Sequence, residues 1–186
     1  MGSLIGVLMN RHNAKMNGFA LKLLEVGASD RVLEIGFGGG LNLPFFLRHA
    51  AFVAAVDRSA TVVRSARSRF AKAIAGGRAR FRQGSIEALP FDAGEFTKVC
   101  TVNTVYFWTS LDTGCSEIYR VLAPRGHAVI AFLPKEWMEQ GGFPPDIFTS
   151  RTAEEVVTAL VKAGFAGVRT ERPSETTRWN AIIARR

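Results

Sequence analysis

The chain has 186 residues, 47% hydrophobic and 22% charged, which excludes a disordered or fibrous protein and fits one globular domain. Its two cysteines exclude a disulfide framework. The net charge of +8 is matched by one stretch, in which Arg58, Arg64, Arg67, Arg69, Lys72, Arg78, Arg80 and Arg82 occur with no acid between them.

In chain order, residues from about Leu4 to Val26 read as one or two helices. Leu4, Val7, Leu8, Met16, Phe19, Ala20, Leu23 and Leu24 recur at helical spacing, and Asn17-Gly18 is the expected break. The apolar run Leu4–Met9 is too short to span a membrane. No basic residue precedes it and no cleavage-like sequence follows, so no signal peptide is expected and the cytoplasm is the expected compartment. A strand is expected at 31–36, then a helix at 41–49 with Pro44 in its first turn, then a strand at 52–57. Ser59 caps a helix running to about Ala75, which Gly76-Gly77 ends. Strands follow at 79–83 and 96–102, a helix at 112–122, a turn at Pro124–Gly126 and a strand at 127–133. Residues 134–150 read as irregular, with Gly141-Gly142 and Pro144-Pro145. Thr152 caps a helix at 153–163, and strands at 167–171 and 179–184 close the chain as an antiparallel pair. Cys100 falls in a buried strand and Cys115 in a helix, so both read as reduced packing residues. Strands alternating with helices predict an α/β fold: a doubly wound, mostly parallel sheet with helices on both faces, in a single domain spanning 1–186.

The most informative run is Val32-Leu33-Glu34-Ile35-Gly36-Phe37-Gly38-Gly39-Gly40. An apolar strand reaches an acid and breaks into glycines, which let a ligand approach the backbone closely. A second apolar strand, Val53-Ala54-Ala55-Val56-Asp57, also ends in an acid, placed to grip ribose hydroxyls. Glu34 stands two residues before the first glycine and would repel a pyrophosphate seated on the helix N-terminus. The pattern suits a cationic nucleoside without phosphate.

At these residues the chain resembles the class I S-adenosylmethionine (SAM)-dependent methyltransferases, in particular the small type 11 group. Gly84-Ser85-Ile86-Glu87-Ala88-Leu89-Pro90-Phe91 resembles the family's segment bordering adenine. Residues 95–102 resemble its fourth strand, and Glu117–Gly126 its helix and turn before strand five. Ala163-Gly164-Phe165 resembles the end of its last helix. The resemblance implies a Rossmann-like seven-stranded sheet in the order 3-2-1-4-5-7-6 with strand 7 antiparallel. It implies SAM as methyl donor and S-adenosylhomocysteine as product.

The resemblance assigns cofactor roles residue by residue. Gly36, Gly38 and Gly40 approach the methionine portion, and Glu34 holds the turn and the ligand ammonium. Asp57 accepts from both ribose hydroxyls, and Arg58 lies along adenine or is simply solvated. Ser85 stands where the family commonly has an acid, which weakens the bond to the adenine amino group. The Ile86 N–H meets a ring nitrogen, and Asn103 offers its carbonyl. Arg125 replaces a usual glycine, changing the turn and not the chemistry.

After strand four come Asn103-Thr104-Val105-Tyr106-Phe107-Trp108. Tyr106 and Trp108 are expected to wall the acceptor, with Phe107 in the core. Trp137 and Phe148 are expected to add an apolar wall from a substrate-side loop at 134–150, and residues 1–26 to form a helical lid. The Asn-Pro-Pro-aromatic motif of nucleobase N-methyltransferases is absent, and few aromatics interleave with the Arg58–Arg82 charges, so nucleic acid is not the expected partner. That basic stretch reads as a solvated face, or as a contact for anionic lipid headgroups or an acidic substrate.

Methyl transfer from a sulfonium needs alignment of nucleophile, carbon and sulfur, and a base only if the nucleophile arrives protonated. His12, in Asn10-Arg11-His12-Asn13, and Tyr106 are the catalytic candidates, while His49 and His127 read as structural. No Cys, His or acidic cluster has metal-ligand spacing. Three readings stand: methylation of an O, N or S atom of a small apolar or aromatic molecule; methylation of a membrane lipid or quinone, with peripheral contact to an anionic membrane; and a non-catalytic SAM-binding partner or regulatory module. Monomer and dimer are both open.

Overall fold

Strands buried on both faces need apolar residues at nearly every position. In the computed structural model, which describes residues 14–186, β1 (Arg31–Ile35), β2 (Phe52–Asp57), β3 (Ala79–Gln83), β4 (Phe96–Val102) and β5 (Leu122–Phe132) pair in parallel. β6 (Ala166–Glu171) and β7 (Asn180–Arg185) complete one sheet in the order β3-β2-β1-β4-β5-β7-β6, with β7 antiparallel to both neighbours. This is the expected order, reversed strand included. The period of two divides the core. Leu33, Ile35, Val99, Ile130 and Ile182 face one way, towards α5 (Leu111–Val121) and α7 (Ala153–Lys162). Val32, Val53, Cys100, Val129 and Ile183 face the other, towards α1 (residues 14–24), α2 (Leu43–His49) and α3 (Ala60–Arg69). Both cysteines are buried and free.

Three expectations about local structure need correction. First, α1 runs unbroken through Asn17-Gly18. Met16, Ala20 and Leu24 form a fully buried stripe, which outweighs the roughly 1 kcal/mol that glycine costs a helix. Second, the helix after Ser59 ends at Arg69 and restarts as α4 (Ala71–Ala75), because Phe70 leaves helical geometry and packs on Phe81 with ring centroids 5.8 Å apart. Third, Leu122 belongs to β5, paired with Phe96, and Lys135–Gln140 forms a helix, α6, behind Pro134. The expected helix over Leu4–Met9 lies outside the described residues, as does His12.

The chain winds outward from β1 through β2 to β3, then crosses to β4 on the other side of β1. The loops after β1 and β4 therefore part from one another and open a crevice at the C-terminal strand ends. Among the described residues no helix is long and apolar enough to cross a membrane, and no group of three His, Cys, Asp or Glu is placed to hold a metal.

Candidate active site

The crevice is an open cleft of about 420 Å³. Gly36 leaves β1 at φ +70° and donates its N–H to the Val56 carbonyl at 2.8 Å. A Cβ there would lie 2.4 Å from Thr104 Cγ2, so both the backbone angle and the loop after β4 demand glycine. Gly38, at φ +48°, faces the open cleft, and a Cβ added to it would meet no atom within 4 Å. Its N–H donates to Asp57 Oδ2 at 3.0 Å, and the Ser59 N–H donates to Oδ1 at 2.9 Å. These bonds fix the Asp57 carboxylate at the end of β2 and leave each oxygen a lone pair for a ligand.

Around this acid the cleft is mostly apolar. Ile35 and Val56 line it from the strand ends, and Ile86 and Trp108 from the loops after β3 and β4. Trp108 is buried and donates its indole N–H to Thr104 Oγ1 at 3.2 Å. Gly114 of α5 makes room for this wall, since a Cβ would meet Trp108 at 2.9 Å and Ile86 at 3.1 Å. Arg58 lines the rim, with Nη1 3.5 Å from the Phe107 carbonyl. Asn103, at φ +57°, lines the far side and donates its N–H to the Ala131 carbonyl at 2.8 Å.

Other expected residues stand elsewhere. Gly40 lies off this cleft, against Leu43, in a groove beside α3. The Ser85 hydroxyl donates to Glu87 rather than lining the cleft, where its neighbours Gly84 and Ile86 do. Glu34 sits beneath the glycine turn and is 5% exposed. Its Oε1 accepts from Asn42 Nδ2 at 2.8 Å, while Oε2 is buried without a partner. Burial raises the Glu34 carboxyl to about 8; the Asn42 bond opposes that rise and the Asp57 charge adds to it.

The aromatic run divides differently from expectation. Tyr106 is buried, and its hydroxyl donates to Asn103 Oδ1 at 3.1 Å and accepts from the Leu133 N–H at 2.5 Å. Burial pushes this phenol well above its usual range, which favours its protonated form. Phe107, expected in the core, is 43% exposed at the cleft rim. It sits on a single 3-10 turn, Val105–Phe107, which turns its flanking residues inward and leaves this one outside. Phe148 packs 5.3 Å from Phe107, centroid to centroid, and lines a second cavity of about 310 Å³ with Met138 and Phe143. Trp137 lines neither space; the Arg178 guanidinium lies over its ring at 4.9 Å.

The basic stretch is exposed apart from Arg80, and four of its side chains also brace the fold. Arg67 donates twice to the Phe81 carbonyl, Arg78 to the Leu47 and Ala50 carbonyls, and Arg82 to that of Pro90. Arg80 pairs with Glu95 at 2.9 Å.

Sequence reasoning missed Thr104, Gly114 and Asn42. The residue after a strand-four Asn and a small residue facing an aromatic were readable signals for the first two. A buried Asn beside the glycine run carries no such signal.

The residues present fit a nucleoside with a cationic tail. Asp57 offers two acceptors to a vicinal diol, the Ile86–Trp108 wall suits a planar base, and the glycine turn leaves open the space a Cβ would fill. A family model described as a methyltransferase domain matches residues 33–130. An uncharacterized methyltransferase of Bacillus subtilis, YdaC, is 32% identical over 133 residues, covering 70% of this chain and 71% of YdaC. The erythromycin 3''-O-methyltransferase of Saccharopolyspora erythraea is 29% identical over 131 residues, covering 68% of this chain but 43% of that protein. The crystal structure of YcgJ from Bacillus subtilis superposes with a TM-score of 0.74 at 21% identity, covering 86% of this chain and 71% of YcgJ. This chain belongs to the type 11 methyltransferase-domain family, and its cofactor is S-adenosylmethionine.

Proposed function

We propose that the protein moves a methyl group from SAM to an O, N or S atom of a small apolar or aromatic molecule. One observation carries this reading: Phe107 of the cofactor cleft packs against Phe148 of the second cavity, so apolar rings join the two spaces. An acceptor resting on Phe107 would share the cleft that Asn103 and Thr104 also line. The resemblance of part of the chain to the erythromycin 3''-O-methyltransferase also favours a small molecule.

SAM supplies an activated methyl on a sulfonium. Asp57 fixes the ribose end, and Ile86 with Trp108 holds the base. Glu34 holds the cationic end from below, and Gly36 and Gly38 let the backbone close on the tail. Asn103, pinned by Tyr106 and Ala131, orients the methyl-bearing end. The ionisable groups lining the cleft among the described residues are Asp57 and Arg58, and neither suits a base for the acceptor. The chain then acts by alignment and water exclusion, and the acceptor brings its own lone pair. In this reading the 134–150 segment forms the acceptor side, and His12 remains a candidate contact.

A second reading, a lipid or quinone acceptor, draws on Leu41, Phe107 and Ile147. These are large apolar residues exposed on loops after β1, β4 and β5, at the end of the sheet that carries the site. Methyl-labelled SAM, purified protein and a host extract separated into aqueous, organic-soluble and acid-precipitable fractions test both. Label in the aqueous fraction supports the small metabolite, and label in the organic fraction supports the lipid. Label confined to the precipitate contradicts both.

A further inference from the structure

Asn42 is 2% exposed, and both hydrogens of its side-chain amide are committed. One is donated to Asn17 Oδ1 on α1 at 2.6 Å, the other to Glu34 Oε1 on β1 at 2.8 Å. A single chain of hydrogen bonds therefore runs from the N-terminal helix, through the loop that ends the glycine run, to the acid under the cofactor turn. It stops at Glu34 Oε2, a buried oxygen with no partner. A buried polar atom left unpaired is destabilising, and a ligand that pairs it removes that loss.

We propose that Asn17 and Asn42 are positioning residues that couple cofactor binding to α1: the cationic end of the cofactor completes Glu34, and the hydrogen-bond chain passes that gain to the helix. The inference rests on the cofactor assignment and goes beyond it: neither asparagine lines the cleft, nor does Glu34, so the contact forms when the glycine turn above Glu34 admits the ligand ammonium.

The electrostatics around Glu34 give the coupling a signature. In sheet register Glu34 stands between Ala55 of β2 and Cys100 of β4, with Asp57 as the nearby charge and Asn42 as its donor. No cation among the described residues offsets Asp57 in raising the Glu34 carboxyl, which holds its proton up to about 8 in the free protein. When a ligand ammonium arrives, the Glu34 O–H bond breaks, the proton goes to the buffer, and the carboxylate accepts an N–H from the ammonium. At pH 6.5 an α-amino group with a pKa near 7.7–8.0 is already protonated, so the ligand contributes no proton of its own.

Calorimetric titration with S-adenosylhomocysteine at pH 6.5, in two buffers of different ionisation enthalpy, reads the protons released. Amide exchange over residues 14–24 reads the helix. Wild type is expected to release about one proton on binding and to slow exchange in α1. Glu34→Gln mimics the protonated acid, so it should fold normally and release none. Asn17→Ala sits on a half-exposed helical position where alanine is a better helix former. It should keep the proton release, bind about fivefold more weakly, and lose the ligand-induced slowing in α1. Binding by wild type with no proton release and unchanged α1 exchange overturns the inference and leaves the cofactor assignment standing, as does Asn17→Ala behaving as wild type. Absence of any binding overturns both.

Discussion

Gly36→Ala isolates what shapes the glycine turn. The substitution meets two penalties that the structure separates. Holding a residue with a Cβ at φ +70° costs about 1–2 kcal/mol. Placing that Cβ 2.4 Å from Thr104 Cγ2 adds an overpacking cost of about 1–3 kcal/mol, because Thr104 is itself fixed by Thr101 and by the Trp108 indole. Together they predict a loss of about 2–5 kcal/mol, a drop of roughly 4–20 °C in melting temperature for a chain of this size. Urea unfolding of four proteins measures it: wild type, Gly36→Ala, Thr104→Ser and the double variant. Serine keeps the hydroxyl that Trp108 uses and removes the clashing methyl. The double variant should recover the overpacking share and retain the backbone share, a coupling of about 1–3 kcal/mol. Strict additivity, or a Gly36→Ala loss below about 1 kcal/mol, would refute the close approach of the two loops.

Other substitutions probe the rest of the site. The Glu34 carboxyl keeps its proton to about 8 when folded, against an ordinary value of 4.5, so between those values the folded state binds more protons and stability falls as pH rises. The ceiling on that fall is about 5 kcal/mol; Glu34→Gln should flatten it in urea midpoints from pH 5 to 8.5, and an unchanged slope would contradict the burial. Tyr106→Phe leaves the Leu133 N–H without its acceptor and should cost about 1–3 kcal/mol of stability while leaving the shape of the pH–rate profile unchanged. A lost limb in that profile would make Tyr106 an acid or base after all. Phe148→Ala should raise the acceptor KM several-fold and leave S-adenosylhomocysteine affinity within twofold, whereas the reverse would move the acceptor off the Phe107–Phe148 pair.

Much of this was legible because it is local. The strand-turn-strand pattern from Val32 to Asp57 places glycines and an acid by period and spacing alone, and the sheet order follows from the family those residues resemble. Side-chain commitment was not legible. Nothing in the spelling of Phe107 and Trp108 says which one a 3-10 turn exposes. Trp137 reads as a pocket wall until Arg178, far along the chain, is found over it. The basic stretch from Arg58 to Arg82 is the exposed face its spelling suggests, but nothing in the spelling says that Arg67, Arg78 and Arg82 also hold backbone carbonyls. Asn17 and Asn42 meet Glu34 only through tertiary contact between α1 and the glycine turn.

The central claim is that SAM binds in the cleft between Gly36 and Asp57. Equilibrium dialysis of labelled SAM against wild type and Asp57→Ala tests it most directly. Removing the two fixed acceptors leaves the ribose hydroxyls unpaired, so affinity should fall at least about tenfold while the variant stays folded by circular dichroism. Equal affinity of the two proteins would place the cofactor elsewhere, and no binding by wild type would contradict the cofactor assignment itself.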